Sequence, residues 1–242
     1  MTLLLAHARA MTVELARHPA YVVPTLVFPA VFFLFFATSS SGNAPAVRMA
    51  TFTGFAAIGV AFFQFGVGIA VERDSPWEAY VRTLPAGVGV RLAARLLSAA
   101  VFAAAAAAVV VGVAVALTPV SLTGPRCLAL AVALVAGVAP FALLGVAIGY
   151  WAPPRGALPI ANLLYLVLSY AGGLWFRPQR LPPLVEQVSP LLPTRALADV
   201  LAAAAVGAGP PWRSWAALAG FATLFAVAAV WGYRRDEGQR YR

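Results

Sequence analysis

Six stretches of this 242-residue chain contain no Asp, Glu, Lys or Arg and are each long enough to cross a bilayer, whose hydrocarbon core takes about 20 apolar residues per helix. They run from Tyr21 to Thr38, Thr51 to Val71, Leu96 to Leu117, Leu128 to Trp151, Leu158 to Trp175 and Trp215 to Tyr233. A backbone surrounded by lipid must satisfy its own hydrogen bonds, which leaves helices and closed barrels. The alternating pattern of a barrel strand is missing. With 62% hydrophobic and only 10% charged residues, the chain is also too apolar for a soluble domain. The expectation is an all-α polytopic membrane protein with six transmembrane helices. No linker or internal repeat divides it, so residues 1–242 read as a single domain.

The net charge of +9 comes from 17 arginines and no lysine. In a soluble protein such a balance points to nucleic acid, but here the positions of the arginines describe topology. If the N-terminus is inside, the inner segments hold Arg9, Arg17, Arg73, Arg82, Arg91, Arg95, Arg155, Arg234, Arg235, Arg240 and Arg242. The two short outer loops hold only Arg48 and Arg126, while the longer last outer loop holds Arg177, Arg180, Arg195 and Arg213 and weighs less in the count. The positive-inside rule then places both termini in the cytoplasm, with a lipid membrane rather than nucleic acid as the partner of this charge.

Two segments outside the spans have helical patterning of their own. Within residues 1–19, Leu4, Ala8, Met11 and Leu15 share one face, the pattern of an interfacial helix lying along the membrane. The outer loop, 176–212, is rich in proline, yet Leu184 to Val188 and Thr194 to Val206 can each form a short helix, the second capped by Thr194. Both are apolar enough to dip into the outer leaflet.

The chemistry that is absent narrows function further. A phosphate-cradling P-loop needs a lysine, and there is none. His7 and His18 both precede the first span, neither H-E-x-x-H nor G-x-S-x-G occurs, and no span contains Asp, Glu or His. No catalytic residue and no metal ligand is therefore assigned, and a proton relay lacks its usual intramembrane groups. If the chain moves something, the energy enters from outside it.

The richest polar stretch is the segment 72–95 between the second and third spans. Glu72, Arg73, Asp74, Glu78 and Arg82 alternate in sign, while Trp77, Tyr80, Val81 and Leu84 recur at helical spacing between Pro76 and Pro85. A short helix here would show a charged face and an apolar face, suited to plugging an aromatic anchor into a partner's groove. A solvated loop would carry similar charges. Within the spans, Gln64 is the main polar side chain deep in the second, and Asn162, Tyr165 and Ser169 share a face of the fifth. They line a translocation path or a dimer seam, or they make ordinary interhelical hydrogen bonds. Gly145 and Gly149 in the fourth span have the spacing of a close helix contact.

The stretch from Glu72 through Ser75-Pro76-Trp77-Glu78 to Pro85 resembles the first cytoplasmic loop of ATP-binding-cassette type-2 permeases. The segments Leu181-Pro182-Pro183 and Ser189-Pro190-Leu191-Leu192-Pro193 are similar to that family's outer loop, which forms short re-entrant helices before the last span. Members often have a glycine just after the acidic cluster, where this chain has Ser75 and Pro76. The resemblance implies the membrane subunit of an exporter in a bacterial inner membrane. It further implies a homodimer with a separate ATPase subunit that holds ATP and magnesium, leaving no cofactor on this chain. Glu72, Arg73, Trp77, Glu78, Arg82 and Pro85 would then form the coupling element, and the spans, poor in fixed charge, suit a hydrophobic drug-like or lipid substrate. A membrane enzyme acting on lipid through Glu72, Asp74 and Glu78, and a non-catalytic scaffold or immunity protein, are the competing readings.

Overall fold

The computed structural model describes residues 3–37, 44–76, 87–120, 122–176 and 181–240, and every regular element among them is helical. The chain opens with α1 (Leu3–Ala16), which turns Leu4, Ala8, Met11 and Leu15 inward and leaves Leu3, Leu5 and Val13 exposed on its other side. It packs against the third span. A break at His18 leads to α2 (Pro19–Ala37), the first span, with Pro24 and Pro29 inside it. Each proline lacks the amide that would bond the carbonyl four residues earlier.

The second span is the centre of the molecule. It consists of α3 (Ala44–Ala61), a π-helical segment (Phe62–Val67) and α4 (Gly68–Arg73). Met49, Phe52, Phe55, Ile58 and Phe62 are fully buried along it. Four of the other long helices pack against it and the last packs on the fourth span, while Phe35, Val135, Leu163, Val227 and Trp231 remain exposed on outer faces, the surface a lipid-facing helix needs.

The third span, α5 (Val88–Leu117), starts earlier than the expected Leu96. Arg91 and Arg95 are part of the helix, and Arg95 is buried because its guanidinium finds partners on the second span. The segment between the spans thus ends at Gly87 rather than residue 95. The fourth span, α6 (Gly124–Trp151), meets the second at its glycines. A Cβ on Gly145 would lie 2.7 Å from the Ala61 carbonyl oxygen, and one on Gly149 would lie 2.7 Å from both Ile69 Cβ and the Phe65 carbonyl oxygen. Backbone cannot yield as a side-chain tip can, so Gly149→Ala should cost about 1–3 kcal/mol. Gly112→Ala, with open space around it, should be neutral or slightly stabilising. Unfolding of the two variants in detergent, followed by denaturant titration, checks this.

α7 (Pro154–Ala171) is the fifth of the expected spans, and it ends four residues before Trp175. Gly172 and Gly173, the latter at φ 79°, turn the chain there, a conformation that only glycine adopts freely. Trp175 then stacks against Phe36 at the end of α2. Five helices among the described residues are long and apolar enough to span by composition, and α7, with Arg155, Asn162 and two tyrosines, is not one of them. It still runs the length of the bundle, since Pro153 lies beside Arg73 and Asp236 at one end and Gly172 beside Arg48 at the other.

Beyond it, α8 (Pro183–Val188) and α9 (Pro193–Val206) are bent by 83° against each other. α9 drives the fully buried Leu197 and Leu201 against Gly137 and Gly54, and its end at Gly207 approaches Arg126 at the start of α6. The pair dips into the bundle from the Arg48 end and returns to it. Thr194 does not cap α9 as expected: its hydroxyl donates to the Leu168 carbonyl at 2.6 Å and so fastens α9 to α7. The last span, α10 (Trp212–Arg240), runs back to the end bearing Glu72.

Candidate functional site

At the Glu72 end, charges that lie far apart in sequence meet. Arg73 closes α4 and donates through Nη1 to Asp236 Oδ1 of α10 at 2.7 Å and through Nη2 to the Ala152 carbonyl at 2.6 Å. Ala152 caps α6, where helix carbonyls lack amide partners and the dipole favours a cation. Glu72, one residue earlier, forms an ion pair with Arg95 of α5. Two adjacent residues therefore hold three other spans. Trp151 tightens the same corner: its indole N–H donates to the Ala228 carbonyl at 3.0 Å, and the Arg235 guanidinium lies 5.1 Å over its ring. Immediately after this clasp the chain turns through Asp74 and Ser75, whose amides bond the Val71 and Glu72 carbonyls. Trp77, Glu78, Arg82 and Pro85, expected to form the docking surface, lie outside the described residues.

The second feature is a cleft of about 590 Å³ between α2 and α7, floored by the second span. Tyr21, Pro24, Phe28, Phe63, Asn162 and Tyr165 line it, and His18 stands at its rim. The expected polar residues divide here. Asn162 is exposed on the cleft wall, and Tyr165 lines the cleft, but its hydroxyl donates to the Phe55 carbonyl at 3.1 Å while its ring stacks on Phe55 at 4.5 Å. Ser169 is fully buried and its hydroxyl has no partner among the described residues. The inward face of α7 is Ala157, Ala161, Tyr165 and Ser169, a four-residue recurrence that leaves Asn162 to one side. Gln64 sits behind the cleft and donates its amide to the Tyr21 hydroxyl at 2.9 Å.

The π segment joins the two features. Phe63 and Val67 face the cleft, while the Gln64 carbonyl accepts from Arg95 Nη1 at 2.6 Å. Gly68 makes this approach possible, because a Cβ there would fall 2.6 Å from that nitrogen. Sequence reasoning missed Arg95 and Asp236, having counted the first as a loop charge and ended the last span at Tyr233. The usable signal was their spacing: each sits within one or two turns of an apolar helix, where an isolated charge needs a partner.

Among the described residues no group of three His, Cys, Asp or Glu side chains is placed to hold a metal. The family model described as ABC-2 type transporter matches residues 2–205. The chain is also similar to YvfS of Bacillus subtilis, which carries the name of a transport permease, with 23% identity over 91% of this chain and 93% of that protein.

Proposed function

Because the chain belongs to the ABC-2 type transporter family, we propose that it is the permease subunit of an ATP-driven exporter, energised by a separate ATPase subunit and working as a homodimer. It is a multi-pass membrane protein and a transport subunit rather than an enzyme. In this reading residues 1–242 form one permease domain in a bacterial inner membrane, with both termini cytoplasmic. ATP and magnesium belong to the partner ATPase.

The observation that carries the coupling assignment is the clasp at Glu72 and Arg73. A push on the segment that follows Ser75 reaches α5 through Arg95, α6 through Ala152 and α10 through Asp236. Trp77 serves as the docking anchor, Glu78 and Arg82 as polar contacts, and Pro85 as part of the same coupling element. The cleft, mostly apolar with His18, Tyr21, Thr25, Asn162 and Tyr165 among its lining residues, suits a hydrophobic drug-like molecule or a lipid, and its Asn162 wall also supports the reading of a dimer seam.

The topology is tested with single cysteines at Ser75 and Gln187 in a chain whose Cys127 is replaced. An impermeant maleimide should label Ser75→Cys only from the cytoplasmic side and Gln187→Cys only from the outside. Labelling of both from one side would overturn the arrangement.

A further inference from the structure

We infer that Arg95 is a positioning residue that links the root of the coupling segment to the wall of the cleft, through the π segment of the second span. The inference rests on the proposed function for its purpose, though not for its geometry. Arginine inside a membrane helix is costly and normally has a task. Here the guanidinium divides its two ends: Nη2 pairs with Glu72, and Nη1 donates to the Gln64 carbonyl.

That carbonyl is free for a definite reason. A π turn bonds five residues back, so one carbonyl is passed over where the helix returns to α geometry. The Gly68 amide bonds the Phe63 and Phe65 carbonyls and passes over Gln64. Arg95 takes the oxygen left over. The same segment presents Phe63 and Val67 to the cleft, and the Gln64 side chain holds Tyr21 on the α2 wall. Release of Arg95 by Glu72 leaves the π turn without its stabilising donor, and a shift of the turn toward α geometry rotates Phe63 and loosens the Gln64–Tyr21 bond. Movement at the loop root is thereby read out as a change in cleft width.

The test uses the full chain in lipid nanodiscs, with Cys127 replaced and a reporter cysteine at Asn162, and measures the rate of labelling by fluorescein maleimide. Glu72→Ala should change that rate by at least about threefold, the effect of a modest coupling between contacting residues. In an Arg95→Gln background the same substitution should add nothing. Gly68→Ala displaces the guanidinium without removing its charge and should reproduce the shift, which keeps the test valid if Arg95→Gln inserts poorly. A reporter at Leu184, exposed on α8, should not respond. An unchanged Asn162 rate in Glu72→Ala, full additivity with Arg95→Gln, or an equal change at Leu184 would each overturn the link. The permease is measured alone, so a positive result stands even if no ATPase partner is found, whereas failure to capture an ATPase bears only on the proposed function.

Discussion

Asp236→Ala should destabilise the protein by about 3 kcal/mol, the loss typical when one member of a buried ion pair is removed. Its partner Arg73 is held between the end of α6 and α10 and is mostly shielded from water, so removal of the carboxylate takes an opposite charge from a place where water replaces it only in part. Arg73→Ala should cost at least as much, because Asp236 is only 8% exposed. Replacing both by apolar residues of similar size, Arg73→Met with Asp236→Leu, should recover most of the loss, since the pair repays a desolvation penalty that the double variant never incurs. Unfolding of the four proteins in mixed micelles measures these differences. Full stability in both single variants would show that the clasp holds nothing together.

Trp77→Ala should weaken association with the ATPase subunit roughly thirtyfold, because truncating an aromatic anchor at an interface costs at least about 2 kcal/mol. Glu78→Ala should act less strongly and mainly on association rate, as rim charges do. Co-purification at matched membrane levels measures both. Retention of full complex and full transport in both Trp77→Ala and Glu78→Ala would remove the coupling role from the segment that follows Ser75.

The all-helical class and five of the six expected spans were legible because apolar length is dictated by the bilayer itself. The glycine pair in α6 was visible too, although its partner, the π segment, was not. What escaped the sequence was wherever a polar group changes its character by finding a distant partner. Arg91 and Arg95 look like loop charges until Glu72 and the Gln64 carbonyl draw Arg95 into the helix, which moves the start of α5 to Val88. Asp236 looks like part of a charged tail until Arg73, 163 residues away in sequence, meets it. Thr194 has the spacing of a cap, but the approach of α7 offers its hydroxyl a carbonyl instead. Asn162, Tyr165 and Ser169 share a stripe by count, yet only the first two reach the cleft: Asn162 stands beside the buried face of α7, Tyr165 lies on that face where it borders the cleft, and Ser169, one turn further along, is fully buried. Local spacing can show that a charge beside an apolar helix needs a partner, but not which residue supplies it.

The most direct test of the transport assignment is capture of the tagged chain from its own cell membrane, followed by assay of magnesium-dependent ATP hydrolysis in the captured material. A permease of this kind brings an ATPase subunit with it, so hydrolysis should be present, should disappear when the P-loop lysine of that subunit is replaced, and should fall in step with complex when Trp77 is replaced by alanine. A correctly inserted chain that captures no ATP-hydrolysing subunit would contradict it.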